Sequence, residues 1–134
     1  MVKMLKGLMI ILYVEDQQAS AAFYRALLGR EASLDVPGMT EFDLTPGYTL
    51  GLMPNTGIAR ILGEKMPHPA TATGIPRCEL YLHVDDALAA FEYAIQLGAK
   101  SISPVIERNW GDSVGYVADN DGHIIAFAEK NDPK

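Results

Sequence analysis

The chain has 134 residues, 49% of them apolar, enough for one domain with a real core and too few for a second of ordinary size. Its 17 acidic residues outnumber 11 basic ones, giving a formal charge of -6 and a pI near 4.9. That field repels phosphates, so the balance argues against nucleic acid or an anionic membrane as partner. The lone Cys78 has no internal disulfide partner, and no Cys/His spacing matches a structural zinc site. This usage suits a reducing cytoplasm, the compartment expected.

Near the N-terminus, Lys3 and Lys6 precede the apolar run Leu8 to Val14. The run is short, and Glu15-Asp16 follow where a cleaved leader needs small neutral residues, so it reads as a buried strand. No other stretch approaches the roughly 20 apolar residues that span a bilayer, so no membrane partner is expected. Asp16 then stands at a helix N-cap position, able to accept hydrogen bonds from unsatisfied backbone N–H groups. Ala19, Ala22, Phe23, Ala26 and Leu27 recur at three- and four-residue spacing, predicting a helix that stops at Gly29. Strand-like stretches follow at about 31–35, 39–45 and 48–53, with Thr45-Pro46-Gly47 marking the last turn.

Residues 54–76 form a connecting segment with prolines at 54, 67, 69 and 76 and glycines at 57, 63 and 74. Within it, Ile58 to Lys65 suits one or two helical turns. Ile61, Leu62 and Met66 either cover the mouth of a pocket or fill a seam between halves. After it the first pattern returns. Cys78 to Val84 ends in Asp85-Asp86, seventy positions after its counterpart, and Asp86 is again placed as an N-cap. Leu88, Phe91, Ala94 and Ile95 carry the helical period up to Gly98. Strand-like stretches follow at about 101–107, 113–118 and 123–129, with Asn120-Asp121-Gly122 as the last turn. The prediction is an α+β fold in a single domain, 1–134, made of two tandem βαβββ modules, 5–53 and 77–130, whose curved mixed sheets surround a cavity.

On these residues the chain resembles the vicinal oxygen chelate superfamily, which includes glyoxalase I, extradiol dioxygenases, fosfomycin-resistance enzymes and bleomycin-resistance proteins. The parts that carry the resemblance are Tyr13-Val14-Glu15-Asp16 with Phe23-Tyr24-Arg25-Ala26-Leu27-Leu28-Gly29, and Asp119-Asn120-Asp121-Gly122-His123 leading into a final strand. The resemblance implies four inward metal-ligand positions, usually His, Glu or Gln, on the first and last strands of each module. Aligning the modules puts them at Met9, Gly51, Glu79 and Ala126, of which only Glu79 has a suitable donor; a divalent ion typically needs about three protein ligands. A one-residue slip in the last strands reaches only Leu50, Leu52, Ile125 or Phe127. No metal and no cofactor is therefore expected.

If those positions face inward, strand alternation turns Ile11 and Tyr13 inward with Met9, Thr49 and Met53 with Gly51, Tyr81 and His83 with Glu79, and Ile124 and Ala128 with Ala126. The alternate residues, Leu8, Ile10, Leu12 and Val14 or Leu80, Leu82 and Val84, are expected beneath the helices. The inward set, mostly apolar with two tyrosines and a few polar groups, suits an organic ligand. Expected ligand-binding residues are Met9, Ile11, Tyr13, Gly51, Met53, Glu79, Tyr81, His83, Trp110 and Ala126. Each has a plainer alternative: Glu79 paired with Arg77 or Arg108, His83 a satisfied or exposed strand-end side chain, and Tyr13 and Tyr81 core residues with surface hydroxyls. Trp110, beside Arg108, either stacks on a ligand or is structural. His68 and His123 read as loop and turn residues.

The function these residues suggest is metal-free binding of an apolar or aromatic small molecule, resembling the bleomycin-resistance branch. The alternative is a lyase, isomerase or dioxygenase of the same superfamily, metal-dependent or using Glu79 as catalytic base. The resemblance also implies a homodimer.

Overall fold

A computed structural model describes residues 2, 4–72 and 74–132. The backbone contacts divide it into two units, one running to residue 72 and one from Gly74 onward. In the first unit the order is β1 (Leu8–Val14), α1 (Gln17–Leu28), β2 (Leu34–Val36), β3 (Met39–Thr45), β4 (Tyr48–Pro54) and α2 (Asn55–Leu62). The second contains β5 (Glu79–His83), α3 (Ala87–Gln96), β6 (Lys100–Glu107), β7 (Asp112–Ala118) and β8 (Ile124–Lys130). Each forms an open four-stranded mixed sheet, ordered β1-β4-β3-β2 and β5-β8-β7-β6. The first strand of each pairs in parallel with the last, and the remaining pairs are antiparallel. The fold is thus α+β with two tandem βαβββ modules, as expected. No helix among the described residues is long and apolar enough to cross a membrane.

Local chemistry accounts for the helix ends. The Asp16 and Asp86 carboxylates each accept a hydrogen bond from the backbone N–H three residues on, at 3.0 Å. Gly29 closes α1 in the left-handed region at φ 64°, where a side chain would be strained. The α3 start has a second acceptor: Glu129 on β8 takes the Ala87 N–H at 2.9 Å.

Each unit has its own core between helix and sheet. Leu12, Val14, Phe23, Tyr24, Phe42, Leu50 and Leu52 are buried in the first, and Leu80, Ala94, Val117, Ile125 and Phe127 in the second. Three details differ from the periodicity. On α1, Ala19 and Ala22 are exposed while Ser20, Ala21, Phe23 and Tyr24 are buried; alanines all round the helix blur its apolar face, and the large rings set its rotation. On α3, Leu88 is exposed and Ala87 buried. On β1, Leu12 and Val14 are buried, but Leu8 is 53% and Ile10 38% exposed, so the apolar face at the start of this edge strand is left partly open.

The connecting segment is more structured than a loop. It contains α2 and two short 3₁₀ turns, Gly63–Lys65 and Pro69–Ala72. Ile58 is buried, whereas Ile61 and Met66 are exposed. Asn55, also buried, donates through Nδ2 to Glu15 Oε2 at 3.2 Å, tying the start of α2 to the end of β1.

Candidate functional site

In the first unit, parallel pairing sets Met9 beside Thr49, Ile11 beside Gly51 and Tyr13 beside Met53. A Cβ on Gly51 would lie 3.1 Å from Ile11 Cγ1, 3.3 Å from Met9 Sδ and 3.4 Å from Met39 Sδ. The room that a metal-binding side chain would need at position 51 is therefore filled by a neighbouring branch and two thioethers. Met39 is a member of this apolar cluster that the strand pattern did not single out.

In the second unit, Tyr81 pairs with Ala126, which pairs with Tyr116 across β8 and β7. Ala126 is fully buried in a cluster with Val114 and Ala128, and the two half-buried tyrosines pack against that cluster. A buried methyl offers no ligand atom. Of Met9, Gly51, Glu79 and Ala126, the residues that the resemblance aligns with ligand positions, Glu79 alone has a suitable donor, and that set does not fit a divalent ion.

A polar chain is built on the tyrosines instead. The Tyr81 hydroxyl donates to Asp112 Oδ2 at 2.5 Å and accepts from the Trp110 indole N–H at 2.8 Å. Asp112 is buried, at 9% exposure, at the start of β7, while Trp110 remains 55% exposed. Partial burial holds the Tyr81 hydroxyl above its usual pKa of 10.0; the Asp112 carboxylate reinforces the shift, and the Trp110 N–H, which favours the phenolate, opposes it. His83 meets the Tyr81 ring edge-on, with centroids 5.3 Å apart. Arg108 lies over the Tyr116 ring, its guanidinium carbon 5.3 Å from the centroid.

The structure therefore brings Tyr81, His83, Trp110 and Ala126 into one neighbourhood of the second unit, and Met9, Ile11, Gly51, Tyr13 and Met53 onto neighbouring strands of the first. Glu79 is exposed at the start of β5. The expected alternative of an ion pair with Arg77 or Arg108 is not found: among the described residues the ion pairs are those of Arg25 with Glu31 and Asp35. Asp112, Tyr116 and Arg108 complete the second cluster without having been singled out as site residues. Tyr81 and Asp112 lie 31 positions apart, so no local motif joins them; the only trace in the sequence is that Trp110 and Asp112 flank Gly111.

Asp119, Asp121 and His123 also converge, with potential donor atoms within 4.8 Å of one another. Asp119 Oδ1 already accepts from the backbone N–H groups of Asp121 and His123, each at 2.9 Å. That carboxylate shapes the turn before β8, in keeping with His123 as a turn residue. Clefts of about 550 Å³ and 440 Å³ lie elsewhere, the first beside Gln17, Arg25, Asp35 and Thr40, the second at the β3–β4 turn.

The family model for a glyoxalase-like domain matches residues 8–131. An uncharacterised protein of Mycobacterium bovis, Mb0911c, is 34% identical over 77 residues, covering 58% of this chain and 49% of that protein, so the chain spans about half the length of this relative. A glyoxalase-related enzyme from Fulvimarina pelagi has a similar structure, with a TM-score of 0.78 at 25% identity over 91% of this chain and 86% of that one. Protein ATC0852 from Agrobacterium tumefaciens gives 0.72 at 28% identity over 92% and 96%. With a match that begins at β1 and ends beyond β8, across both βαβββ modules, the chain belongs to the glyoxalase-like family of the vicinal oxygen chelate superfamily.

Proposed function

We propose that this protein is a small-molecule-binding member of the family that holds an apolar or aromatic ligand without a metal and without altering it. The observation that carries this reading is the Trp110–Tyr81–Asp112 chain. Trp110 spends its only donor on Tyr81, so an indole more than half exposed is held in place with its π face as what it has left to offer. Stacking on such a face is favourable for a flat ring. Tyr81, Tyr116 and His83 extend the aromatic surface beside it.

The donor set at Met9, Gly51, Glu79 and Ala126 supports the metal-free part of the proposal. A reaction based on Glu79 has less support, since the carboxylate is exposed and makes no hydrogen bond or ion pair with a described residue that could serve as its partner in proton transfer. The partly exposed apolar residues Leu8, Met9, Ile10 and Ile11 on edge strand β1 favour pairing with a second copy of the chain, and the proposed state is a homodimer. Sedimentation equilibrium showing only monomer would remove that part.

The test is a screen of aromatic and antibiotic-like compounds by quenching of the single tryptophan, followed by recovery and mass analysis of each bound compound. Saturable quenching with the compound recovered intact is expected. A changed compound, with turnover lost in Glu79→Gln, would place the protein among the enzymes of the superfamily.

A further inference from the structure

Arg108, immediately beyond β6, is held unusually firmly for a partly exposed cation. Its Nε donates to Val114 O at 3.2 Å. Its Nη2 approaches Ser103 Oγ at 3.0 Å, Pro104 O at 2.9 Å and Val114 O at 2.9 Å. The β6–β7 ladder changes register on both sides of Ser103, and the guanidinium supplies donors in this irregular stretch. That staple uses Nε and Nη2. It leaves Nη1 without a hydrogen bond to any described residue, and the positive charge without a carboxylate within 4.0 Å among them.

In a chain with 17 acidic and 11 basic residues, Arg108 is fixed in place and has no carboxylate partner among the described residues; what separates it from Arg30, also held by backbone carbonyls, is the aromatic ring it covers. Of the acidic groups near it, Glu107 precedes it in the chain and forms no ion pair with it, and Asp112 accepts from Tyr81; Glu79 begins the opposite edge strand, three inter-strand spacings or roughly 14 Å of sheet from β6, and is level with Lys100 at the far end of that strand. Beyond about 8–10 Å, exposed charges are largely screened at physiological salt. Arg108 also lies over Tyr116, in the same strand row as Tyr81, so its charge borders the aromatic surface.

We propose that Arg108 recognises an anionic group on the ligand, so that the preferred class is an aromatic carboxylate: the ring lies on Trp110 and the tyrosines, and a carboxylate oxygen accepts from Nη1. This rests on the binding reading above and narrows it. The guanidinium is already ordered by its backbone contacts, so most of the side-chain entropy that such a contact usually costs is lost on folding rather than on binding.

The test uses the intact protein and three ring-matched probes, 2-naphthoate, 2-naphthamide and 2-naphthylmethylammonium, titrated by calorimetry. Naphthoate should bind roughly 10-fold more tightly than naphthamide, the ratio expected for one charge-assisted hydrogen bond, and the gap should narrow at about 0.5 M salt. Arg108→Met should bring the affinities for acid and amide within about 3-fold of each other. Because that change removes the staple, the comparison in the unaltered protein decides alone if the variant does not fold. Equal binding of acid and amide, or preference for the ammonium probe, would overturn the role of Arg108 and leave the aromatic site intact. Failure of all three probes to bind would overturn the site itself, and this proposal with it.

Discussion

At the scale of single residues, Tyr81 joins the core to the proposed site. Replacing it with Phe takes the donor from buried Asp112 and the acceptor from Trp110, and should cost about 1 kcal/mol in urea unfolding. Tryptophan anisotropy should fall as the indole loosens. The pH dependence has a definite sign. With its native pKa raised above 10.0, the neutral phenol is favoured in the folded state; that contribution is complete below pH 10.0 and is lost as pH rises through the native value. The decline of stability above pH 10 should therefore be shallower in Tyr81→Phe. Two glycines give a contrasting pair. A Cβ at Gly115 would lie 2.5 Å from Val105 Cγ2 and 2.8 Å from Phe91 Cδ2, and the short branched valine has little freedom to withdraw. Gly115→Ala should lose about 1–3 kcal/mol. Gly51→Ala meets Ile11 Cγ1 at 3.1 Å and then the flexible thioethers of Met9 and Met39 at 3.3 and 3.4 Å, looser contacts than those at Gly115, and should cost less than Gly115→Ala, both read from denaturant midpoints.

At the scale of elements, helix boundaries were the most legible features because their determinants are local. Asp16, Asp86 and Gly29 act within four residues of themselves, and each lies where the pattern placed it. Helix rotation was less legible, since a helix rich in alanine leaves the choice of buried face to partners elsewhere in the chain. The caps also differ in a way the repeat does not announce. Asp16→Ala leaves the first turn of α1 without its side-chain acceptor, whereas Asp86→Ala leaves Glu129 still bound to the Ala87 N–H. Loss of Asp16 should therefore cost about 1 kcal/mol and loss of Asp86 less, as measured by urea midpoints of the two single variants.

At the scale of the whole molecule, the family brings an expectation of metal chemistry, and the residues that the resemblance aligns with its ligand positions, Met9, Gly51, Glu79 and Ala126, carry one suitable donor between them. Adding nickel, zinc, iron or manganese should leave the melting temperature unchanged; a stabilisation that grows with the logarithm of metal concentration would mean that another set of residues holds an ion. Sequence alone was enough to set out the doubled βαβββ pattern and the strand and helix limits within a few residues, because these depend on side-chain period and turn residues; the shortage of donors at Met9, Gly51, Glu79 and Ala126 is read against positions that the family resemblance implies. Only the tertiary structure decided that Trp110, Tyr81 and Asp112 form one hydrogen-bonded chain, that Arg108 is stapled over Tyr116 without an ion-pair partner among the described residues, and that Met39 closes over Gly51. Those contacts join residues on different strands, and their formation depends on register and side-chain reach, which no local pattern along one chain encodes.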